Sequence, residues 1–199
     1  SLTPKWVLHT ELDERRLLNP DRQAQFFIHT HLHYLLSPKL DFGAGFNHNL
    51  SKSRTNVTIP EWRPWQEVNF NATPTSKVKL SFRYRLDERF IHHSSATQLE
   101  DGYQFVLRHR MRVQVMHRTG KNEHVTLKLS NELMLNTSPV LDTFDQNRIF
   151  GAVEFKLSNS LSLETGYLHQ VTRRNGLSTT FHILRTTLYH RIQHKPTKS

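Results

Sequence analysis

The chain has 199 residues, with 27 Lys plus Arg against 17 Asp plus Glu, a formal net charge of +10. That length suits one domain and leaves no room for separate binding and catalytic domains. No cysteine is present, which excludes disulfides, thiolate metal sites and cysteine nucleophiles, and the 12 Phe, 5 Tyr and 3 Trp supply far more aromatic surface than a disordered, solvated chain carries.

No run of about 18 apolar residues occurs, so no transmembrane helix is expected, a criterion that is blind to barrels because their strands alternate. Ser1 to Trp6 lack a basic start followed by an apolar stretch and there is no initiator Met; the chain reads as one whose targeting segment, if any, has been removed.

Taken in chain order, period-two alternation predicts ten strands, near 5–16, 23–36, 39–49, 63–72, 77–91, 101–118, 124–136, 147–157, 161–172 and 179–192. The clearest is 77–91, where Val78, Leu80, Phe82, Tyr84 and Leu86 alternate with Lys79, Ser81, Arg83, Arg85 and Asp87. In the next, Tyr103, Phe105, Leu107, Met111, Val113 and Val115 share one face, interrupted by His109, while Arg108, Arg110 and Arg112 lie on the other. Most of these segments run about 10 to 14 residues, against about 5 to 6 for a usual globular strand. Strands of that length suit a tilted crossing of a bilayer about 30 Å thick.

The connections read as alternately short and long. Ser37-Pro38-Lys39, Thr73-Pro74-Thr75-Ser76, Thr119-Gly120-Lys121-Asn122 and Ser158-Asn159-Ser160 are tight turns by their composition. Longer loops are expected near 17–22, 50–62, 92–100, 137–146 and 173–178. The resulting expectation is an all-β, antiparallel up-and-down transmembrane β-barrel over residues 1–192, with short periplasmic turns, longer outer loops and a C-terminal tail at 193–199. Trp6, Tyr34, Trp62, Trp65, Tyr103 and Tyr167 fall near strand ends, where amphipathic rings favour the membrane interface. A soluble antiparallel barrel or sandwich is the competing architecture.

Phe144-Asp145-Gln146-Asn147-Arg148, then Gly151, then Leu161-Ser162-Leu163-Glu164-Thr165-Gly166-Tyr167-Leu168-His169-Gln170 resemble a family catalogued as a domain of unknown function. Leu8-His9-Thr10-Glu11-Leu12 with Arg15, Trp62-Arg63-Pro64-Trp65-Gln66 and the segment Arg83 to Arg89 fit the same pattern. The resemblance covers essentially the whole chain and is most specific over 144–170. It implies an outer-membrane β-barrel of Gram-negative bacteria, especially Bacteroidota, and supplies no activity, cofactor or catalytic residue. Asp87 stands where the resemblance leads one to expect Glu, and the chain end, His190 to Ser199, lacks the terminal aromatic of many outer-membrane barrels.

If the apolar residues face lipid, the alternate set lines a lumen. That set places Glu11, Asp13, Arg15, Glu67, Arg83, Arg85, Asp87, Arg89, Arg108, Arg110, Arg112, Glu132, Glu154 and Glu164 there, with Asp41 among the facing carboxylates. Ten strands leave little more interior than eight, so these side chains are expected to interlock as an ion network that blocks a wide pore. The alternative is a narrow anion-attracting path or a seat for an anionic ligand, since six arginines on adjacent strands repel one another unless anions intervene. His29, His31 and His33 share one strand face, and His9 on the preceding strand could complete a zinc or copper site; no other cofactor is expected.

Asp142, Asp145, His92, His93, Ser94 and Ser95 fall in or beside predicted outer loops, as an outer-membrane hydrolase would need, but nothing fixes a nucleophile, base and orienting group among them. No catalytic residue is assigned and the chain is not expected to be an enzyme. Basic surface facing lipopolysaccharide accounts for the charge more simply than nucleic acid, because the arginines interleave with lipid-type residues. The expected role is a structural or accessory subunit of a larger outer-membrane complex, with lipid, lipopolysaccharide and other outer-membrane proteins as partners.

Overall fold

The computed structural model describes residues 5–18, 21–53, 55–119, 124–138 and 141–190. It contains ten strands: β1 Trp6–Leu18, β2 Asp21–Ser37, β3 Leu40–Lys52, β4 Thr58–Ala72, β5 Val78–Ser94, β6 Leu99–Thr119, β7 Val125–Thr137, β8 Phe144–Lys156, β9 Leu161–Arg174 and β10 Leu177–His190. They form one antiparallel up-and-down sheet in sequence order. The sheet curls: the Arg185 guanidinium on β10 lies 3.5 Å from the Glu11 carboxylate on β1, which a flat ten-stranded sheet would hold far apart. No ladder joins β1 to β10 among the described residues.

The strands are longer than their alternation alone suggests. β6 spans 21 residues and β2 and β5 span 17 each. The expected short–long alternation of connections is absent. Residues 19–20 and 175–176 leave two-residue links where longer loops were predicted, whereas 73–77 leaves five where a tight turn was predicted. The reason is pairing: the predicted loop segments continue the ladders, as in Leu50↔Pro60, Glu61↔Ile91 and Arg174↔Leu177. At the last of these, Asn175 and Gly176 both take positive φ, 52° and 76°, the dihedrals of a two-residue hairpin turn for which Asn-Gly is the strongest sequence signal. The predicted turn at 119–122 falls largely outside the described residues, as does the tail at 193–199.

Register assigns every side chain to a face, because successive residues point to opposite sides. Glu11↔His29, His29↔Asn47 and Asn47↔Arg63 put one set on the concave side; Leu12↔Ile28, Ile28↔His48 and His48↔Trp62 put the other on the convex side. The burial that follows is inverted relative to a soluble sheet. The buried set is dominated by Asn47, Glu61, Arg63, Glu67, Asp87, Arg108, Arg110, Glu132 and Glu164, while Leu12, Phe46, Phe82, Phe105, Val113, Leu129, Ile149 and Leu184 are exposed. Buried apolar residues are few: Phe27, Trp65, Val106, Met134, Ala152 and Leu168.

Candidate functional site

The concave face of β4 to β8 is a network of ion pairs. Register sets Arg83 opposite Arg112, Arg85 opposite Arg110 and Asp87 opposite Arg108, so the arginines of β5 and β6 stack in rungs that would repel. Carboxylates from both flanks enter between them. Glu67 on β4 pairs with Arg85 at 2.6 Å and lies 3.8 Å from Arg83. Asp87 accepts from Arg108 at 2.6 Å and lies 3.4 Å from Arg110. Glu132 on β7 takes Arg83 at 2.5 Å and Arg110 at 3.0 Å, and Asp145 on β8 takes Arg108 at 3.1 Å. Nearer the other edge of β4, Glu61 accepts from Arg63 at 2.7 Å and from Arg89 at 2.6 Å. Charge-assisted bonds of this length inside a water-poor space hold side chains in single positions.

Two smaller groups extend the network. Lys128 bridges Glu154 and Glu164 at 2.6 Å each. On β1, Arg15 lies 3.5 Å from Asp13, while Glu11 meets Arg185 across the seam. All fourteen residues predicted to line the interior therefore sit on the concave face, together with Asp41, which accepts from Asn69 at 2.8 Å. Glu61, Arg63, Lys128, Asp145, Arg148 and Arg185 belong to the same face and were not predicted to line it. Glu61 and Asp145 fell in segments read as loop, Asp145 turning inward beside the register shift between β7 and β8; Arg185 lies on β10, where no lining residue was chosen; Arg63, Lys128 and Arg148 share the parity of Glu67, Glu132 and Glu154 on their strands, a signal that was present.

Trp65 corrects the aromatic reading. It is 1% exposed on the concave face, donates from Nε1 to Asn47 Oδ1 at 2.9 Å, and carries the Arg85 guanidinium 3.7 Å above its ring. Gly43 and Gly45 of β3 make room for it and its neighbours: a Cβ on Gly45 would lie 2.6 Å from the indole and 2.5 Å from His31 Cβ. Trp6, Trp62, Tyr103 and Tyr167 lie exposed on the convex face. Trp6 packs on Tyr34 with centroids 4.8 Å apart, and Trp62 on His48 at 4.0 Å.

The histidines gather without forming a metal centre. His9, His31 and His33 have ring centroids 4.8 to 5.5 Å apart, but His9 and His31 stack at an interplanar angle of 19°, which sets their nitrogens side by side and not towards one point. His33 is engaged by Asp41 at 2.9 Å and Glu67 at 3.6 Å, and His29 lies against Phe27. Among the described residues no three His, Asp or Glu side chains are placed to hold a metal ion.

The loop-end residues considered for hydrolysis are dispersed. Asp145 is committed to Arg108, Asp142 accepts from the Gly176 amide at 2.9 Å, and the His92 ring contacts the His93 carbonyl oxygen. At the end of the β1–β2 hairpin, Arg16 binds the Asp21 carboxylate at 3.0 and 3.1 Å and holds it below its ordinary pKa, by hydrogen bonding first and charge second.

Besides Glu88, which accepts from Gln66 of β4 at 3.0 Å, two hydrogen-bonded polar groups made within β5 to β8 interrupt the convex face. Tyr84 Oη lies 2.7 Å from His109 Nδ1, and His109 Nε2 lies 3.0 Å from Thr137 Oγ1. The amides of Asn131 and Asn147 exchange hydrogen bonds at 3.1 and 3.3 Å. Both groups were invisible to the alternation, which treats each as an isolated break in an apolar face.

No curated protein matches the chain. A family model described as "Protein of unknown function (DUF2490)" matches residues 1–180. With nearly the whole ten-stranded sheet inside that match, the chain belongs to the DUF2490 family.

Proposed function

We propose that this protein is a transmembrane β-barrel of a bacterial outer membrane, closed along β1 and β10, with a filled interior and a working surface on its outer wall. The observation that carries this reading is the inverted burial: ion pairs inside, Leu, Phe, Val and Tyr outside. In water such a sheet would expose a continuous apolar surface far beyond what a soluble monomer tolerates. In a bilayer the same surface is the solvated one, and the polar set satisfies itself internally.

An interior occupied by interlocked arginines and carboxylates leaves little lumen for transport, which favours a structural or accessory role. The Tyr84–His109–Thr137 and Asn131–Asn147 groups support a protein neighbour on β5 to β8. Polar side chains facing hydrocarbon are costly and are favoured where another protein covers them.

The test is extraction from outer membranes in mild detergent. A folded barrel shifts its mobility on denaturing gels only after boiling, and companions should co-purify in fixed ratio. Replacing Asn131 and Asn147 together with Leu should keep the heat-dependent shift and lose the companions. A protein that is soluble without detergent and shows no shift refutes the barrel; companions retained by the double variant refute this docking surface.

A further inference from the structure

We propose that Asn175 is a site of spontaneous deamidation whose rate is governed by Asp142, an assignment that goes beyond the accessory role and stands without it. Asn175-Gly176 is the one Asn-Gly step in the chain. It forms the two-residue turn closed by the Arg174↔Leu177 pair, and both of its residues are exposed. The Asn175 side chain makes no hydrogen bond among the described residues, so its amide carbon is open to attack, and glycine adds no Cβ over the nitrogen that follows. That nitrogen is held from another part of the chain. The Gly176 N–H donates to Asp142 Oδ2 at 2.9 Å, and the Asp142 backbone oxygen accepts from Asn136 Nδ2 at 3.2 Å, which ties the β7–β8 connection to the β9–β10 hairpin.

Deamidation needs the same nitrogen. Once deprotonated, Gly176 N attacks Asn175 Cγ: the N–Cγ bond forms, the Cγ–Nδ2 bond breaks with its electron pair going to Nδ2, and ammonia leaves with the proton that the amide gave up. Water then opens the succinimide at one of its two C–N bonds, leaving aspartate, or isoaspartate with the chain routed through the former side chain. The Asp142 carboxylate opposes the first step, because its charge-assisted hydrogen bond stabilises the protonated amide and its negative charge disfavours the anion that deprotonation creates. The product in turn opposes Asp142. A carboxylate at position 175 lies one residue from the nitrogen that Asp142 holds, and like charges so placed repel. Arg173 lies 3.9 Å from Asp142 Oδ1 and is half-exposed, too distant and too well solvated to neutralise both. Isoaspartate also adds a backbone atom to a turn whose geometry fits two residues. Deamidation therefore releases Asp142 and parts the two connections, a slow change that runs one way.

The full chain refolded in detergent is incubated in mildly alkaline buffer and digested, and its peptides are read by mass spectrometry for amide-to-acid conversion and by isoaspartyl methyltransferase labelling. Folded parent should convert Asn175 about tenfold more slowly than the same chain in urea, and folded Asp142→Ala should regain about that factor, as the loss of one hydrogen bond to a charged group predicts. Asn159, which precedes Ser160 at the opposite end of the sheet, is read in the same digest and should convert equally in parent and variant. Equal rates at Asn175 in parent and Asp142→Ala, or no acid at 175 in either, overturns the proposal. So does a rise at Asn159 matching that at Asn175, because Asp142 would then act only through the general fold. Asn175→Asp supplies the product directly: it should keep the sheet signal in circular dichroism while amide hydrogen exchange at Gly176 and Asn136 rises about tenfold. A lost sheet signal or unchanged exchange overturns the release of Asp142.

Discussion

Asp87 is fully enclosed and faces two guanidiniums, with Oδ2 accepting from Arg108 and Arg110, each of which has one further carboxylate, Asp145 and Glu132 respectively. Removing one member of a buried ion pair leaves the rest uncompensated, which typically costs about 3 to 5 kcal/mol. Asp87→Asn should therefore lower the urea midpoint for refolding in detergent micelles by a corresponding amount, while Arg16→Gln, which breaks only exposed pairs with Glu14 and Asp21, leaves it in place. Equal midpoints for the two variants would mean that the concave network does not hold the sheet. Parity made most of this network legible, since any one inward residue fixes its strand. The same rule contradicts a shared girdle role for Trp62 and Trp65: residues three apart on a strand face opposite sides, and Glu67 pointing inward already puts Trp65 beside it.

At the scale of elements, the ten strands were legible because alternation persists over long stretches, whereas their ends were not. Residues 58–62, Pro60 among them, fell in the loop predicted over 50–62, yet they belong to β4 together with Pro64. Pro64 is accommodated because the β4–β5 ladder skips it: Trp62 pairs with Phe90 and Trp65 with Asp87, so the register resumes unchanged beyond it. Packing between neighbouring strands was likewise beyond the sequence, since Gly45 reads as a weakness in β3 until Trp65 of β4 is seen lying across it. Gly45→Ala should overpack against the indole and cost about 1 to 3 kcal/mol, as insertions into filled interiors do. Gly151→Ala on the convex face meets nothing within 4 Å and should be neutral or slightly stabilising, by up to about 1 kcal/mol. The two refolding midpoints check the contrast, and a tolerated Gly45→Ala would mean that the β3–β4 face is looser than its geometry.

At the scale of the whole molecule, the question is which solvent the convex face meets. Leu129 on β7 is 59% exposed, opposite Val115 of β6 and Gly151 of β8, and flanked on its strand by the exposed Leu127. Were that surface in water, Leu129→Arg would change stability by no more than about 0.5 kcal/mol, as surface substitutions do, and would improve solubility. Were it in hydrocarbon, the same substitution must carry a guanidinium into lipid, at about 2 to 4 kcal/mol near the bilayer midplane and less towards the interface. Refolding into phosphatidylcholine vesicles, followed by the heat-dependent gel shift across a urea series, reads the difference directly. The expected outcome is a clear loss of stability for Leu129→Arg in vesicles. Ser130→Ala, one residue along and facing the concave side, supplies the control, because it removes no charge and should shift the midpoint little. A Leu129→Arg chain that folds undiminished, in vesicles or free in water, would mean that the apolar wall is covered by something other than lipid, and the membrane assignment would fall with it.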